Sequence, residues 1–127
     1  NVFVGVAAVA DYRPKEKADE KIKKDSDNYT LELIKTADII SAVARLESRP
    51  FVVGFAAETN SIVDHGKEKL KKKNLDLLFA NNATDTFNSD SISVTAISSG
   101  NEFEIASANK NVVAREMLKL IAEQVKS

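Results

Sequence analysis

Asn1-Val2-Phe3-Val4-Gly5-Val6-Ala7-Ala8-Val9-Ala10 opens the chain, and Asp11-Tyr12-Arg13-Pro14 follows directly. A continuous apolar run that gives way to a polar turn is the pattern of a parallel strand covered on both faces. Residues 2–8 are therefore predicted to form a central strand. Asp11 then falls at its carboxyl end, where ligands bind in open α/β sheets.

Working outward, the same pattern recurs twice. Residues 51–57, Phe-Val-Val-Gly-Phe-Ala-Ala, follow the stop signal Arg49-Pro50 and end in Glu58-Thr59-Asn60. Residues 75–80, Leu-Asp-Leu-Leu-Phe-Ala, end in Asn81-Asn82. Helices are predicted between the strands: one beginning at Thr36 or Asp38 with Ile39, Ile40, Val43 and Leu46 at helical spacing, and a basic one over 61–73 with Ile62, Gly66 and Leu70 in one stripe. Residues 92–97 and 102–105 alternate around Ser98-Ser99-Gly100-Asn101, a hairpin signal. A last helix from about Lys110 turns Val113, Met117, Leu120 and Ile121 inward. Residues 29–36 also alternate, with Tyr29, Leu31 and Leu33 on one face. With the charged stretch before them and the turn Asp25-Ser26-Asp27-Asn28, they predict an inserted two-stranded arm within 15–36, its strands inside 21–36. The order predicts an α/β fold, part of a Rossmann-like doubly wound, mostly parallel sheet with this arm and a C-terminal hairpin plus helix. A first strand already fit for double-sided burial predicts that 1–127 is the C-terminal part of one longer domain whose N-terminal part is absent.

Composition narrows the chemistry. With Lys+Arg 18 against Asp+Glu 19, the chain lacks the broad basic excess that a nucleic-acid partner recruits. No cysteine is present and only one histidine, His65, which excludes thiol nucleophiles, disulfides and two-histidine metal sites. No apolar run approaches the ~20 residues that span a bilayer, and a cytoplasmic location is the expectation. The four glycines form neither a phosphate-binding loop nor a dinucleotide fingerprint.

What remains is a set of polar strand tips and two lysine clusters, at 21–24 and 67–73. The second holds five lysines in seven residues, with Lys69 and Lys73 one helical turn apart, so both ammonium groups can meet one polyphosphate. On pattern alone, lysines near a helix C-terminus also suit the helix dipole as a solvated face. His65 reads as a surface histidine. An NAD(P)-binding oxidoreductase fragment and a non-catalytic nucleotide-binding dimerisation module stay open at this level.

Six motifs in order decide between these readings. They are Ala7-Ala8-Val9-Ala10-Asp11-Tyr12-Arg13-Pro14, Glu20-Lys21-Ile22-Lys23-Lys24, Gly54-Phe55-Ala56-Ala57-Glu58-Thr59, Lys73-Asn74-Leu75-Asp76, Ala80-Asn81 and Phe87-Asn88-Ser89-Asp90. Together they resemble the synthetase part of the bacterial bifunctional phosphopantothenoylcysteine synthetase/decarboxylase family, along nearly the whole chain. The resemblance implies a ligase of coenzyme A biosynthesis that activates 4'-phosphopantothenate with CTP as an acyl-cytidylate, after which cysteine displaces CMP. It implies Mg2+ with the nucleotide, a homodimer built on the arm, and a decarboxylase domain elsewhere in the protein. Metal ligands are not assigned. Carried over by position, Gly5, Val6 and Ala7 would line the nucleotide and Asp11 would contact it through its carboxylate. Lys21 would neutralise charge at the reacting centre as the catalytic residue. Ala37, Asp38, Ile39 and Ile40 match a nucleotide-binding helix start, with Ala37 where related sequences often carry proline. Phe55 would pack on base or sugar, and Lys69 and Lys73 would bind the nucleotide. The Asn/Ser-rich loop that handles phosphopantothenate in the family has no match here.

Overall fold

In a computed structural model, which describes residues 1–23, 26–86 and 89–127, the chain is a mixed five-stranded sheet with helices on both faces. The sheet strands are β1 (Val2–Gly5), β4 (Phe51–Glu58), β5 (Leu77–Asn82), β6 (Ser91–Ser98) and β7 (Asn101–Asn109), side by side in that order. β1, β4 and β5 pair in parallel, and β6 joins β5 and β7 in antiparallel pairs, so β6 alone runs against the other four strands. A separate two-stranded ribbon pairs β2 (Tyr12–Pro14) with β3 (Leu33–Lys35). The helices are α1 (Ile39–Val43), α2 (Ile62–Lys73), α3 (Ala83–Thr86) and α4 (Lys110–Lys126).

β5 is buried on both faces. Leu78 and Ala80 join Leu70 of α2 and Ile97 in one core, while Leu77 and Phe79 join Val113 and Ile121 of α4 in the other. β7 lies at one edge of the sheet and β1 at the other. Its Phe3 and Gly5 face α1, but Val2 and Val4 remain 43% and 40% exposed because α4 covers only the far half of the sheet. The expected strand over 2–8 accordingly ends at Gly5.

The arm is also built differently from its expectation. Its first strand is the segment read as a turn, Tyr12–Pro14, and only Leu33–Lys35 of the alternating stretch pairs with it. Lys15 continues the ribbon, donating its amide to the Glu32 carbonyl at 2.9 Å and its ammonium to the Glu32 carboxylate at 3.0 Å. Lys24 and Asp25 of the expected arm, and Phe87 and Asn88, lie outside the described residues. α1 stops at Val43, before Leu46, which is exposed. α2, the hairpin and α4 follow the sequence closely: Gly66 and Leu70 are the buried stripe of α2, and Gly100 supplies the positive φ at the hairpin turn.

At the amino end of β5, Asp76 ties the parallel strands together. Its carboxylate accepts the Val52 amide at 2.7 Å and pairs with Arg49, while its own amide donates to the Val52 carbonyl at 3.0 Å. Val52 is fully buried. Asp76→Ala removes that acceptor and should cost about 1–3 kcal/mol, with Asp76→Asn, which keeps a carbonyl oxygen, costing less. Urea unfolding checks this; equal midpoints for Asp76→Ala and wild type would remove the clamp from the account.

Candidate functional site

A cleft of about 370 Å³ opens at the carboxyl ends of β1 and β4, between the start of α1 and one face of α2. Its floor depends on two glycines. Gly5 and Gly54 are register partners, and a Cβ on either would press on Ile40 Cδ1, at 2.9 and 3.3 Å. At Gly54 it would also meet Leu75 Cδ1 at 2.8 Å. Bare backbone at both positions lets Ile40 lie across the strands and sets the amino end of α1 over their tips.

Asp38 caps that end. Its carboxylate accepts from the Ser41 amide at 3.2 Å and the Ser41 hydroxyl at 2.8 Å, and Lys73 Nζ lies 3.2 Å away. Burial by itself would raise the pKa of Asp38, but the hydrogen bonds from Ser41 and Lys73 outweigh it and hold the carboxyl below its ordinary value. One turn back along α2, Lys69 pairs with Glu58 at the end of β4, whose second oxygen lies 3.4 Å from His65 Nδ1. Residues 65, 69 and 73 thus form one row along α2.

The lysine-rich helix divides its charges between two tasks. Lys69 and Lys73 line the cleft. Lys67 turns away to Glu102 of β7, an ion pair that raises the lysine's pKa, and Lys71 and Lys72 face solvent.

Eleven of the twelve expected site residues converge on this cleft. Gly5, Val6, Ala7 and Asp11 come from β1 and the segment after it, and Ala37, Asp38, Ile39 and Ile40 from the approach to α1. Phe55, Lys69 and Lys73 complete the set. The Phe55 ring is half-exposed and sits 5.5 Å from that of Phe79, tilted by 38°. Lys21 is apart from them, exposed in the stretch between β2 and β3 and not among the cleft's lining. Three contributors escaped the sequence reading. Gly54 shapes the floor, and Thr36 ties the cleft's rim by donating its amide to the Asp11 carbonyl at 2.9 Å and its hydroxyl to the Ala10 carbonyl. Glu58, seen in the sequence only as a polar strand tip, anchors Lys69. The recurrence of Val-Gly in Val4-Gly5 and Val53-Gly54 was the available signal for the paired glycines.

A doubly wound α/β domain with its cleft at the carboxyl ends of parallel strands is the class defined here. The chain belongs to the family described as the DNA/pantothenate metabolism flavoprotein C-terminal domain, whose sequence pattern matches residues 1–125. It is 42% identical over 130 residues to the coenzyme A biosynthesis bifunctional protein CoaBC of Vibrio cholerae, covering 98% of this chain and 33% of that protein. It is 50% identical over 97 residues to the CoaBC of Escherichia coli K12, covering 71% of this chain and 24% of that one. The chain therefore spans about a third or less of the length of these curated relatives. A crystal structure of the C-terminal domain of CoaBC superposes with a TM-score of 0.75 at 31% identity, over 99% of this chain and 55% of that one. The Streptococcus pneumoniae DNA/pantothenate metabolism flavoprotein shares the fold, with a TM-score of 0.74 at 21% identity over 96% of this chain and 63% of that one.

Because the Asp38 carboxyl is held below its unfolded value, its contribution to stability is present above about pH 3.9. It is lost as pH falls through the folded value. The stability gap between wild type and Asp38→Asn should therefore be visible at pH 6 and close as the pH is lowered below about 3.9. A gap that persists unchanged in acid would assign the cap to geometry alone.

Proposed function

We propose that this chain is the C-terminal part of a phosphopantothenate–cysteine ligase of coenzyme A biosynthesis and that the cleft is its CTP site. The observation that carries the reading is the meeting of Lys69 and Lys73 with the strand-tip residues and the capped start of α1 around one cavity. Family membership supports it, as do relatives named for coenzyme A biosynthesis.

In this reading the carboxylate of 4'-phosphopantothenate attacks the α-phosphorus of CTP, and pyrophosphate leaves. The resulting mixed anhydride makes the acyl carbon electrophilic. The cysteine amine attacks that carbon, the C–O bond to phosphate breaks, CMP departs, and the amine's proton is lost to give the amide. No protein nucleophile is needed, so the work of the site is positioning and charge stabilisation. That suits a chain without cysteine. Asp11, an acceptor-only group when ionised, would receive hydroxyl or amino donors of the nucleotide, and the exposed edge of Phe55 would pack on base or sugar. Lys21 would act later, on charge that develops at the reacting centre, reaching it from outside the cleft lining.

The cleft's two lysines face two aspartates, and Glu58 also pairs with Lys69, so a polyphosphate entering it gains no net cationic field. Magnesium fits this donor set. Among the described residues no three His, Cys, Asp or Glu side chains cluster as a metal cage, and Mg2+ is commonly held by one or two carboxylates together with substrate phosphates. Asp38 is already engaged by Ser41 and Lys73, so Asp11 is the cleft carboxylate that would hold it with the nucleotide's phosphates, and its charge would offset theirs. The remaining contacts to phosphopantothenate would come from the upstream part of the domain, and the decarboxylase domain would be a further part of the protein. No helix among the described residues is long and apolar enough to cross a membrane; a cytoplasmic setting is proposed with the pathway.

In the enzyme containing the whole domain, Lys69→Gln or Lys73→Gln should raise the KM for CTP by about tenfold or more, the value of a charge-assisted contact, and change the KM for cysteine less. Lys21→Gln should instead slow turnover. Unchanged CTP kinetics in both helix variants would return those lysines to a solvated face. A Lys21→Gln enzyme with wild-type turnover would remove its catalytic role.

The arm supplies a second proposal, a homodimer. A two-stranded ribbon is marginal in water by itself, and Leu33 in β3 and Tyr29 and Leu31 just before it are all exposed. Packing against a second copy would cover them, twofold dimers being the commonest oligomers. Leu31→Asp combined with Leu33→Asp should yield monomers by light scattering. A wild-type protein that is already monomeric at micromolar concentration would overturn the dimer.

A further inference from the structure

Glu58 is the least exposed carboxylate of the site, its side chain only 14% accessible at the carboxyl end of β4. One oxygen holds the Lys69 ammonium and the other faces His65, one helical turn earlier. A carboxylate in that position does more than neutralise. Lysine is among the side chains with most rotamer freedom, and ordering it for a ligand costs up to about 2 kcal/mol. An ammonium has three donors, so one can stay on Glu58 while the others meet phosphate. Lys73 has a corresponding anchor in Asp38. That anchor is the residue capping α1, with a side chain 47% exposed, whereas Glu58 sits on a strand of the central sheet.

We infer that Glu58 is a positioning residue that pre-sets the Lys69 ammonium in the cleft for a phosphate of the bound nucleotide. This rests on the reading of the cleft as a nucleotide site. The carboxylate does not touch substrate. It acts through Lys69, and its effect should vanish once Lys69 is gone.

The test uses the enzyme containing the whole domain, with Mg-CTP as the probe. Glu58→Ala should raise the KM for CTP about fivefold to tenfold, the scale of one lysine's ordering entropy, with a smaller change in kcat. Glu58→Gln, which keeps an oxygen acceptor for Lys69, should recover most of the loss. In a Lys69→Gln background, Glu58→Ala should change the KM no further. Side-chain NMR of the Lys69 ammonium should show an ordered signal in the free protein that is lost in Glu58→Ala. The proposal is overturned if the two substitutions act additively, if Glu58→Ala leaves or lowers the KM while Lys69→Gln raises it, or if the Lys69 signal stays ordered without Glu58. If Lys69→Gln itself leaves CTP binding unchanged, the nucleotide reading fails at that lysine and this inference falls with it, an outcome recognisable because the NMR change would still occur.

Discussion

Double-sided burial of β5 is the constraint on which everything else is arranged. Leu77, Leu78, Phe79 and Ala80 are each at most 1% exposed, with alternate side chains committed to the α2 and α4 cores. Fully burying each of the larger side chains is worth about 1.5–3 kcal/mol, so the register of this strand is strongly specified. β4 pairs beside it in parallel, which requires a crossover, and α2 is that crossover. Once Gly66 and Leu70 face the sheet, Lys69 and Lys73 are carried to the cleft side. The placing of the site's cations is thus a consequence of core packing.

The charges in the cleft are arranged as exchangeable pairs. Lys73 is held by the cap of α1 and Lys69 by the end of β4, the next element along the chain. Partly exposed ion pairs of this kind contribute about 0–1 kcal/mol each. A polyphosphate carrying several charges can therefore share the same ammonium groups at small cost. Because Asp38 is also the cap of α1, any ligand that draws Lys73 away acts on the start of that helix as well. Helix start, strand end and the two lysines are in this sense one electrostatic unit.

Much of the fold was legible because local pattern and tertiary environment agree along β4, β5, α2, the hairpin and α4. Where they disagree, the sequence misled. Residues 2–8 read as one strand, yet the pairing with β4 ends at Gly5. Tyr12–Pro14 read as a turn because of its proline and charge, and became a strand through a partner some twenty residues away. α3, a single turn after Asn82, has too few residues to show periodicity. The cleft residues were gathered by family resemblance rather than by spacing, since they come from four separate segments. Glu58 shows the limit most clearly: its identity as a strand tip was visible, but its tie to Lys69 appears only once α2 is laid along the sheet.

The central claim is that a nucleotide occupies the cleft between the strand tips, the α1 cap and the lysine row of α2. Hydrogen exchange followed residue by residue, with and without Mg-CTP, tests it most directly, because bound ligand suppresses local opening where it makes contact. Slowed exchange is expected at residues 5–11, at 36–41 and along the cleft-facing part of α2, with the amides of β7 unchanged. Protection confined to the β6–β7 hairpin, or none in the cleft at saturating nucleotide, would contradict it.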